Sequence, residues 1–398
     1  MLGLGPFLVG RDTRWSGPML SAALAAGLAA EGAEVHDLGV IPTPGVAWYA
    51  AAEGRPAAVV SASHNPFHDN GVKFFGPGGR KLSDGQEAQL EAELDGGAPG
   101  IAVGRVTRRV DTGAYEAALA ASLAGRRLDG LRLVLDCAHG AASAAAPPVF
   151  RALGADVAVI NAEPDGRNIN EGCGSTHPEG LQRAVVEGGA DVGLAFDGDA
   201  DRVLAVDAGG ALVDGDHLLA LLAVDRRLDT VVVTVMTNLG FRHAMARHGI
   251  AVVETPVGDR WVLEALEKGG WPLGGEQSGH IIFRDLATTG DGLLTGVQVL
   301  DVMKRTGRPL AELASVMTRL PQVLRNVRVP TAGLDAADGL WAEVRAVEAA
   351  LGGDGRVLVR PSGTEPLVRV MVEATTAEAA DEACERLVAA AVRTLGSA

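Results

Sequence analysis

Three aspartates at every second position, Asp197, Asp199 and Asp201 in "DGDADR", follow directly on the apolar run "VGLAF". In a tight glycine-containing turn, alternate carboxylates can converge on one point, as a hard divalent cation requires. The calcium EF-hand pattern is absent: no glutamate stands at the twelfth position and the flank is a strand. A site with few carboxylates and a phosphate oxygen as partner suits Mg²⁺, and Arg202 supplies a cation beside it. A solvated acidic turn is the weaker alternative. A second polar turn, "RPSGTEPLVR", carries Arg360, Ser362, Gly363 and Thr364, with Arg369 further on. Guanidinium groups, two hydroxyls and the N–H groups of a glycine turn make a phosphate cradle. An ordinary hairpin would also use Ser-Gly, but an arginine on either side of the turn in an acidic protein favours the anion site.

Two further stretches carry reactive side chains. "GGEQSGH" holds Glu276, Ser278 and His280, acceptors and donors suited to sugar hydroxyls, with a histidine able to move a proton. An unremarkable turn is as good a reading of that stretch alone. In "VSASHNPFHDNGVKFF", Ser61 or Ser63 ends an apolar run, as a nucleophile or as a helix cap. Pro66 and "DNG" break any nearby helix, which weakens the cap reading. No GxSxG elbow is present, so hydrolase chemistry is not indicated. A serine, a metal turn and a phosphate cradle together indicate phosphoryl transfer.

These turns need rigid elements behind them. The 398 residues exceed what one core usually serves. A net charge of −15 argues against nucleic-acid or anionic-membrane binding. Cys137, Cys173 and Cys384 lack CxxC pairing, "MLGLGPFLVG" has no basic start, and the longest apolar window is too short to span a bilayer. A cytoplasmic protein is the expectation. A weak internal repeat runs through the chain: "PFLVGRD", "LRLVLDCAHG" and "DTVVVTVMTN" each precede a helix-like stretch and a second strand. A third block then holds the unusual residues, at 57–65, 191–202 and 271–280. This order implies parallel strands with right-handed crossovers. Leu20, Leu24 and Leu28 predict one apolar stripe on the first helix, with Gly32 as its stop; Leu181 and Val185 repeat the logic. The last part reads as helix, two strands around a polar turn, and helix. The expected fold is three similar mixed or parallel-sheet α/β domains plus a C-terminal α+β domain. The expected division is 1–128, 129–226, 227–322 and 323–398, carrying in turn the serine, metal, sugar and phosphate sites.

The stretches "SASHNP", "DGDADR", "GEQSGH" and "RPSGTEP", in this order, resemble the α-D-phosphohexomutase superfamily over essentially the whole chain. "NINEGCGSTHPE" and "TTGDG" bring the likeness closer to the branch acting on glucosamine phosphate than to the phosphomannomutase/phosphoglucomutase branch, the nearest rival. The resemblance implies domains set around one cleft, and it selects Ser63 as the phosphorylated serine. It implies transfer from phospho-Ser63 to glucosamine 6-phosphate, a glucosamine 1,6-bisphosphate that turns over in the cleft, and release of glucosamine 1-phosphate. That product feeds UDP-N-acetylglucosamine and cell-wall synthesis. By the same matching, Ser63 and the three aspartates hold one Mg²⁺ per chain, and Glu276 and Ser278 bind sugar hydroxyls. Arg360, Ser362, Gly363, Thr364 and Arg369 grip the phosphate not being transferred. Lys73 and His280 stand as acid/base candidates, with ion pairing to the phosphoserine the equal alternative for Lys73. Arg11 and Arg202 would neutralise the transferring group, and His64 would serve as scaffold or phosphate contact. A monomer or homodimer, with a kinase to prime Ser63, completes the implied partners.

Superfamily members usually begin with a further strand and a "GTDGIRG"-like loop, whereas this sequence opens at "LGLGPFLVGRDTRWSG". Loss of that strand would leave an exposed sheet edge and a less complete serine pocket; a start codon assigned too late is the favoured explanation. A metal-dependent phosphatase acting through Ser63 and a sugar-phosphate-binding protein without turnover are the rivals from other classes.

Overall fold

A computed structural model describes residues 6–93, 103–110, 112–329, 334–362 and 367–396. The chain falls into two compact units. The first comprises residues 1–236 and 249–316, the second residues 237–248 and 317–398.

The first unit holds three sheets built on one plan. In the first, β1 (Phe7–Arg11) pairs in parallel with β2 (Glu34–Val40) and with β3 (Ala57–Val60), and β4 (Val72–Phe75) returns antiparallel to β3. β5 (Arg105–Arg108) adds in parallel to β2, giving the order β4-β3-β1-β2-β5. The second sheet repeats this with β6 (Arg132–Asp136), β7 (Asp156–Ile160), β8 (Val192–Phe196) and the antiparallel β9 (Val203–Asp207), edged by β10 (Leu212–Val213). The third has β11 (Thr230–Thr234), β12 (Ala251–Thr255) and β13 (Leu273–Gly275) in parallel, and β14 (Ile281–Phe283) antiparallel to β13. In every sheet the third strand therefore leads into a hairpin turn. The turns after β3, β8 and β13 are those that carry the serine, the three aspartates and the Glu-Gln-Ser-Gly-His run.

Parallel pairing within mixed sheets matches the sequence expectation, which did not say where the returning strands lie. β3, β8 and β9 are buried along their whole length, so they read as apolar runs without alternation, which gives no direction. The first helix, Gly17–Ala30, also departs from its expected stripe. Its most buried positions are Gly17, Ser21 and Ala25, while Leu24 and Leu28 pack from the flank against Phe7, Val9, Val35 and Ala58. Small residues at the centre of the contact let the helix approach the sheet closely, and the leucines fill the sides. Gly32 follows at φ +90°, which favours glycine. Leu181 and Val185 are fully buried against the second sheet, as their spacing predicts.

The second unit contains β15 (Gln322–Val327), β16 (Arg356–Pro361) and β17 (Val368–Glu373) in the order β15-β17-β16, all antiparallel. The helices Asp338–Leu351 and Ala377–Leu395 bury Leu340, Val344, Val347 and Leu387 against Val368, Val370 and Val372. β15 is the strand missing from the sequence reading; its half-polar "QVLRNV" is mostly part-exposed and carries little apolar signal. The helix Leu239–Arg247 follows β11 in sequence but belongs to this unit. Its N-terminus is held by Glu373, which is fully buried and accepts from Asn238 Nδ2 at 3.0 Å, Leu239 N at 3.1 Å and Arg356 Nε at 2.9 Å. A carboxylate at a helix N-terminus satisfies orphan N–H groups and complements the dipole.

Breaking a buried pair leaves the partner charge uncompensated. Glu373→Gln is expected to lower the unfolding free energy of the second unit by about 3 kcal/mol, read as a shift of the urea midpoint. An unchanged midpoint would show that Glu373 does not fasten this helix.

Candidate active site

Ser63 lies in the turn between β3 and β4, 8% exposed, in the left-handed region at φ +51°. Its Oγ donates to Asp197 Oδ2 at 2.6 Å. The serine at the end of β3 and the first aspartate after β8 thus meet across 134 positions of sequence. The aspartate turn is as compact as its spacing implies. Gly198 faces the Ser63 carbonyl, where a Cβ would sit 2.7 Å from the oxygen, and Gly140 sits against the Gly198 carbonyl at 2.3 Å by the same test. Side chains at either position would push the turn off the serine loop.

Asp197, Asp199 and Asp201 are buried and each offers an oxygen within 4.8 Å of the others. Asp199 Oδ2 accepts Thr43 Oγ1 at 2.6 Å and Lys73 Nζ at 2.7 Å. Asp199 Oδ1 and Asp201 Oδ1 are buried without a hydrogen-bond partner. Buried anionic oxygens lacking donors fit a hard cation, and the all-oxygen donor set suits Mg²⁺. Burial pushes the Asp197 carboxyl up, and neighbouring Asp201 and Asp199 add to the effect. At Asp201 burial works the same way, but Lys73 and His280 outweigh it and hold the group well below the usual carboxylate range. Burial disfavours charge on Lys73, yet Asp199 and Asp201 hold its ammonium above the ordinary lysine value.

A cavity of about 410 Å³ opens over these groups. Ser63, Lys73, Asp201, Arg202, Glu276 and His280 line it, so residues from all three sheets come together. Arg202 is held above its ordinary value: burial opposes its charge, and Asp201, Asp197 and Glu276 outweigh that. Its Nε is buried without a hydrogen-bond partner, as is Ser278 Oγ. Glu276 Oε1 accepts the Gly258 N–H at 3.1 Å. His280 Nε2 accepts the Gly290 N–H at 3.1 Å, which puts the ring proton on Nδ1, 3.6 Å from Asp201 Oδ2. Only a glycine fits at position 290, since a Cβ would lie 2.4 Å from the ring. Arg11 is not among the lining residues; its Nη1 donates to Asp37 Oδ1 at 3.0 Å. His64 is exposed and borders a separate hollow with His68, Arg167 and His177. In the second unit, Arg360 and Arg369 stand opposite each other on β16 and β17. Burial, and then the neighbouring Arg369, lower Arg360 from its ordinary value. Arg369 Nε is buried without a partner, and Ser362 N donates to Leu367 O at 2.9 Å. Gly363 and Thr364 lie outside the described residues.

Four family models match the chain in order. Phosphoglucomutase/phosphomannomutase alpha/beta/alpha domains I, II and III match residues 3–99, 114–210 and 214–320, and the C-terminal domain matches 324–390. A phosphoglucosamine mutase of Rhodococcus opacus is 53% identical, over 96% of this chain and 88% of its own length. One from Frankia alni is 56% identical, over 96% and 87%. The chain belongs to the phosphoglucosamine mutase family. A solved phosphoglucomutase/phosphomannomutase family protein of Burkholderia thailandensis is similar in fold, with a TM-score of 0.83 at 28% identity over 98% of this chain and 89% of that one. An Aspergillus fumigatus N-acetylphosphoglucosamine mutase, solved with GlcNAc-6P and magnesium, shares the fold at a TM-score of 0.70 and 22% identity, over 89% and 93%.

The chain also brings to this cavity residues that its sequence did not announce. Lys81 and Asp259 both line the cavity and form an ion pair. Asp259 is held below the usual range, burial notwithstanding, by Lys81 and His280. No motif marks Lys81, whose neighbours "GGRKLSDG" read as surface turn. Behind Gly290, Asp291 caps the helix Gly292–Thr306 by accepting Leu294 N at 2.9 Å, and it accepts Tyr115 Oη at 2.9 Å. Burial raises its carboxyl from 3.8 to about 6.

Folded Asp291 binds its proton more tightly than unfolded, so its contribution is fully present below pH 3.8 and is lost as pH rises through about 6. At roughly 1.4 kcal/mol per unit the window spans about 3 kcal/mol. Between those pH values the wild type should lose that stability relative to Asp291→Asn, measured by denaturant unfolding without added metal. Parallel stability curves for the two proteins would show that Asp291 does not titrate there.

Proposed function

We propose that this protein is a phosphoglucosamine mutase, interconverting glucosamine 6-phosphate and glucosamine 1-phosphate through phospho-Ser63 and a glucosamine 1,6-bisphosphate intermediate. The observation that carries this reading is the Ser63 Oγ to Asp197 contact, 2.6 Å long, beside two buried carboxylate oxygens without partners. The hydroxyl points into a cluster of carboxylates that could hold a cation beside it, an arrangement suited to carrying a phosphoryl group.

In the first transfer the bond from Ser63 Oγ to phosphorus breaks, and a bond from phosphorus to the free sugar hydroxyl forms. One proton passes from that hydroxyl to the departing Oγ. Lys73, held charged by Asp199 and Asp201, gives a proton to Oγ and takes the one that the hydroxyl releases, so the cavity's charge is unchanged. Arg202 Nε offers a donor to the transferring oxygens. His280 fixes Asp201 through Nδ1, and Glu276 and Ser278 meet the sugar hydroxyls. Mg²⁺ held by Asp197, Asp199, Asp201 and the phosphoserine would supply positive charge against the developing charge on phosphorus oxygens. Arg360, Arg369 and Ser362, with Gly363 and Thr364, are assigned to the phosphate that stays. The bisphosphate reverses its orientation in the site and returns its other phosphoryl group to Ser63. The work of Arg11 and His64 is placed outside the transfer, as support. The four domains are taken to divide near 128, 226 and 322, and the setting to be cytoplasmic.

Ser63→Ala should abolish mutase activity, by at least about 10³-fold, with its thermal midpoint unchanged. Near-normal turnover would refute the phosphoserine route. Asp199→Asn should weaken Mg²⁺ dependence and cut kcat by about 10²-fold; an unchanged magnesium titration would refute the metal turn. Assay against glucosamine, glucose and mannose phosphates, each with a trace of bisphosphate, decides the sugar.

A further inference from the structure

Arg14 is 1% exposed, although it carries a charge and does not line the cavity. Its Nε donates to Asp12 Oδ2 at 2.8 Å and its backbone N–H to Asp12 Oδ1 at 3.0 Å. Its Nη2 donates to the carbonyls of Ser63 and Asn65, each at 2.8 Å. Its Nη1 donates to the carbonyl of Pro66 and, at 3.0 Å, to that of Asp69. One guanidinium therefore gathers four carbonyls of the serine turn. Asn170, from the second domain, donates to two of them, Ser63 O at 2.9 Å and Asn65 O at 3.0 Å.

The other side of Ser63 is held as firmly. Ser61 Oγ donates to Asp12 Oδ2 at 2.7 Å and accepts the Ser63 N–H at 2.9 Å. Asp12 thus anchors both the arginine that holds the Ser63 carbonyl and the hydroxyl that holds the Ser63 N–H. Ser63 itself stands at φ +51°, a strained conformation for a non-glycine residue that persists only when its surroundings over-determine it. Rotation into the ordinary region would turn both peptide groups and carry Oγ away from Asp197.

We propose that Asp12, Arg14 and Ser61 are positioning residues for the transfer: by pinning the N–H and C=O of Ser63 they hold it left-handed and keep its Oγ aimed at the aspartate turn. None of the three lines the cavity. The serine must release and recover a phosphoryl group in every cycle, and a carrier free to relax after the first step would not be placed to receive the second. A displacement of about 1 Å at a reacting atom costs on the order of 10²-fold in rate. The proposal rests on the phosphoserine reading given above.

The test is steady-state kinetics on Ser61→Ala, Ser61→Thr and Arg14→Lys beside the wild type, with folding checked by circular dichroism. Ser61→Ala should lower kcat at least about tenfold at unchanged KM, and Ser61→Thr, which keeps the hydroxyl, should restore most of the loss. Arg14→Lys keeps the charge but loses the fork, and should lower kcat in the same manner; it carries the test if Ser61→Ala does not fold. A folded Ser61→Ala with kcat within about twofold of wild type, or an equal loss in the alanine and threonine variants, overturns the proposal and leaves the phosphoserine reading standing. A wild type without mutase activity overturns both.

Discussion

The arrangement of the first unit depends on one crowded spot, where three buried carboxylates converge and a serine hydroxyl donates to the first of them. Carboxylates that close repel one another, and burial removes the water that would screen them. The surrounding structure answers with Lys73 against Asp199 and Asp201, Arg202 behind Asp201, and the His280 Nδ1–H facing Asp201. Two oxygens are still left without donors. Three such carboxylates could hold a cation, so the electrostatic cost of the cluster and its chemical potential are two sides of one arrangement.

The three sheets explain how residues so far apart in sequence reach that spot. Each supplies its chemistry from the same place, the turn between its third strand and the strand that reverses beside it. A hairpin turn on a buried strand is rigid at its base and open at its tip. One turn brings Ser63, the second the carboxylates, and the third Glu276 with Ser278 and His280. The divergence of these turns, on a repeated scaffold, is what converts three similar folds into one site.

Much of this was legible in the sequence because the reacting residues stand in short runs with unusual chemistry. The spacing of Asp197, Asp199 and Asp201 announced the convergence of carboxylates, and that of Leu181 and Val185 a buried helix face. The rest was hidden for physical reasons. Arg14 in "RDTRWSG" looks like an ordinary surface cation, because its partners are backbone carbonyls some fifty residues on, and carbonyls leave no mark in a sequence. Lys81 and Asp259 meet across 178 positions, and Tyr115 and Asp291 across 176, so neither pair shares a local pattern. The direction of β9 and β14 was not legible because a fully buried strand is apolar on both faces in either direction. The family resemblance chose Ser63 over Ser61; the geometry gives Ser61 a place of its own, as the acceptor of the Ser63 N–H.

The central claim is that Ser63 carries a phosphoryl group. Intact-protein mass spectrometry followed by peptide mapping, after incubation with glucose 1,6-bisphosphate and Mg²⁺, tests it most directly. The account predicts the added mass of one phosphoryl group on the peptide containing Ser63, removed again by excess hexosamine monophosphate. An unmodified Ser63, in protein that nonetheless isomerises glucosamine 6-phosphate, would contradict it.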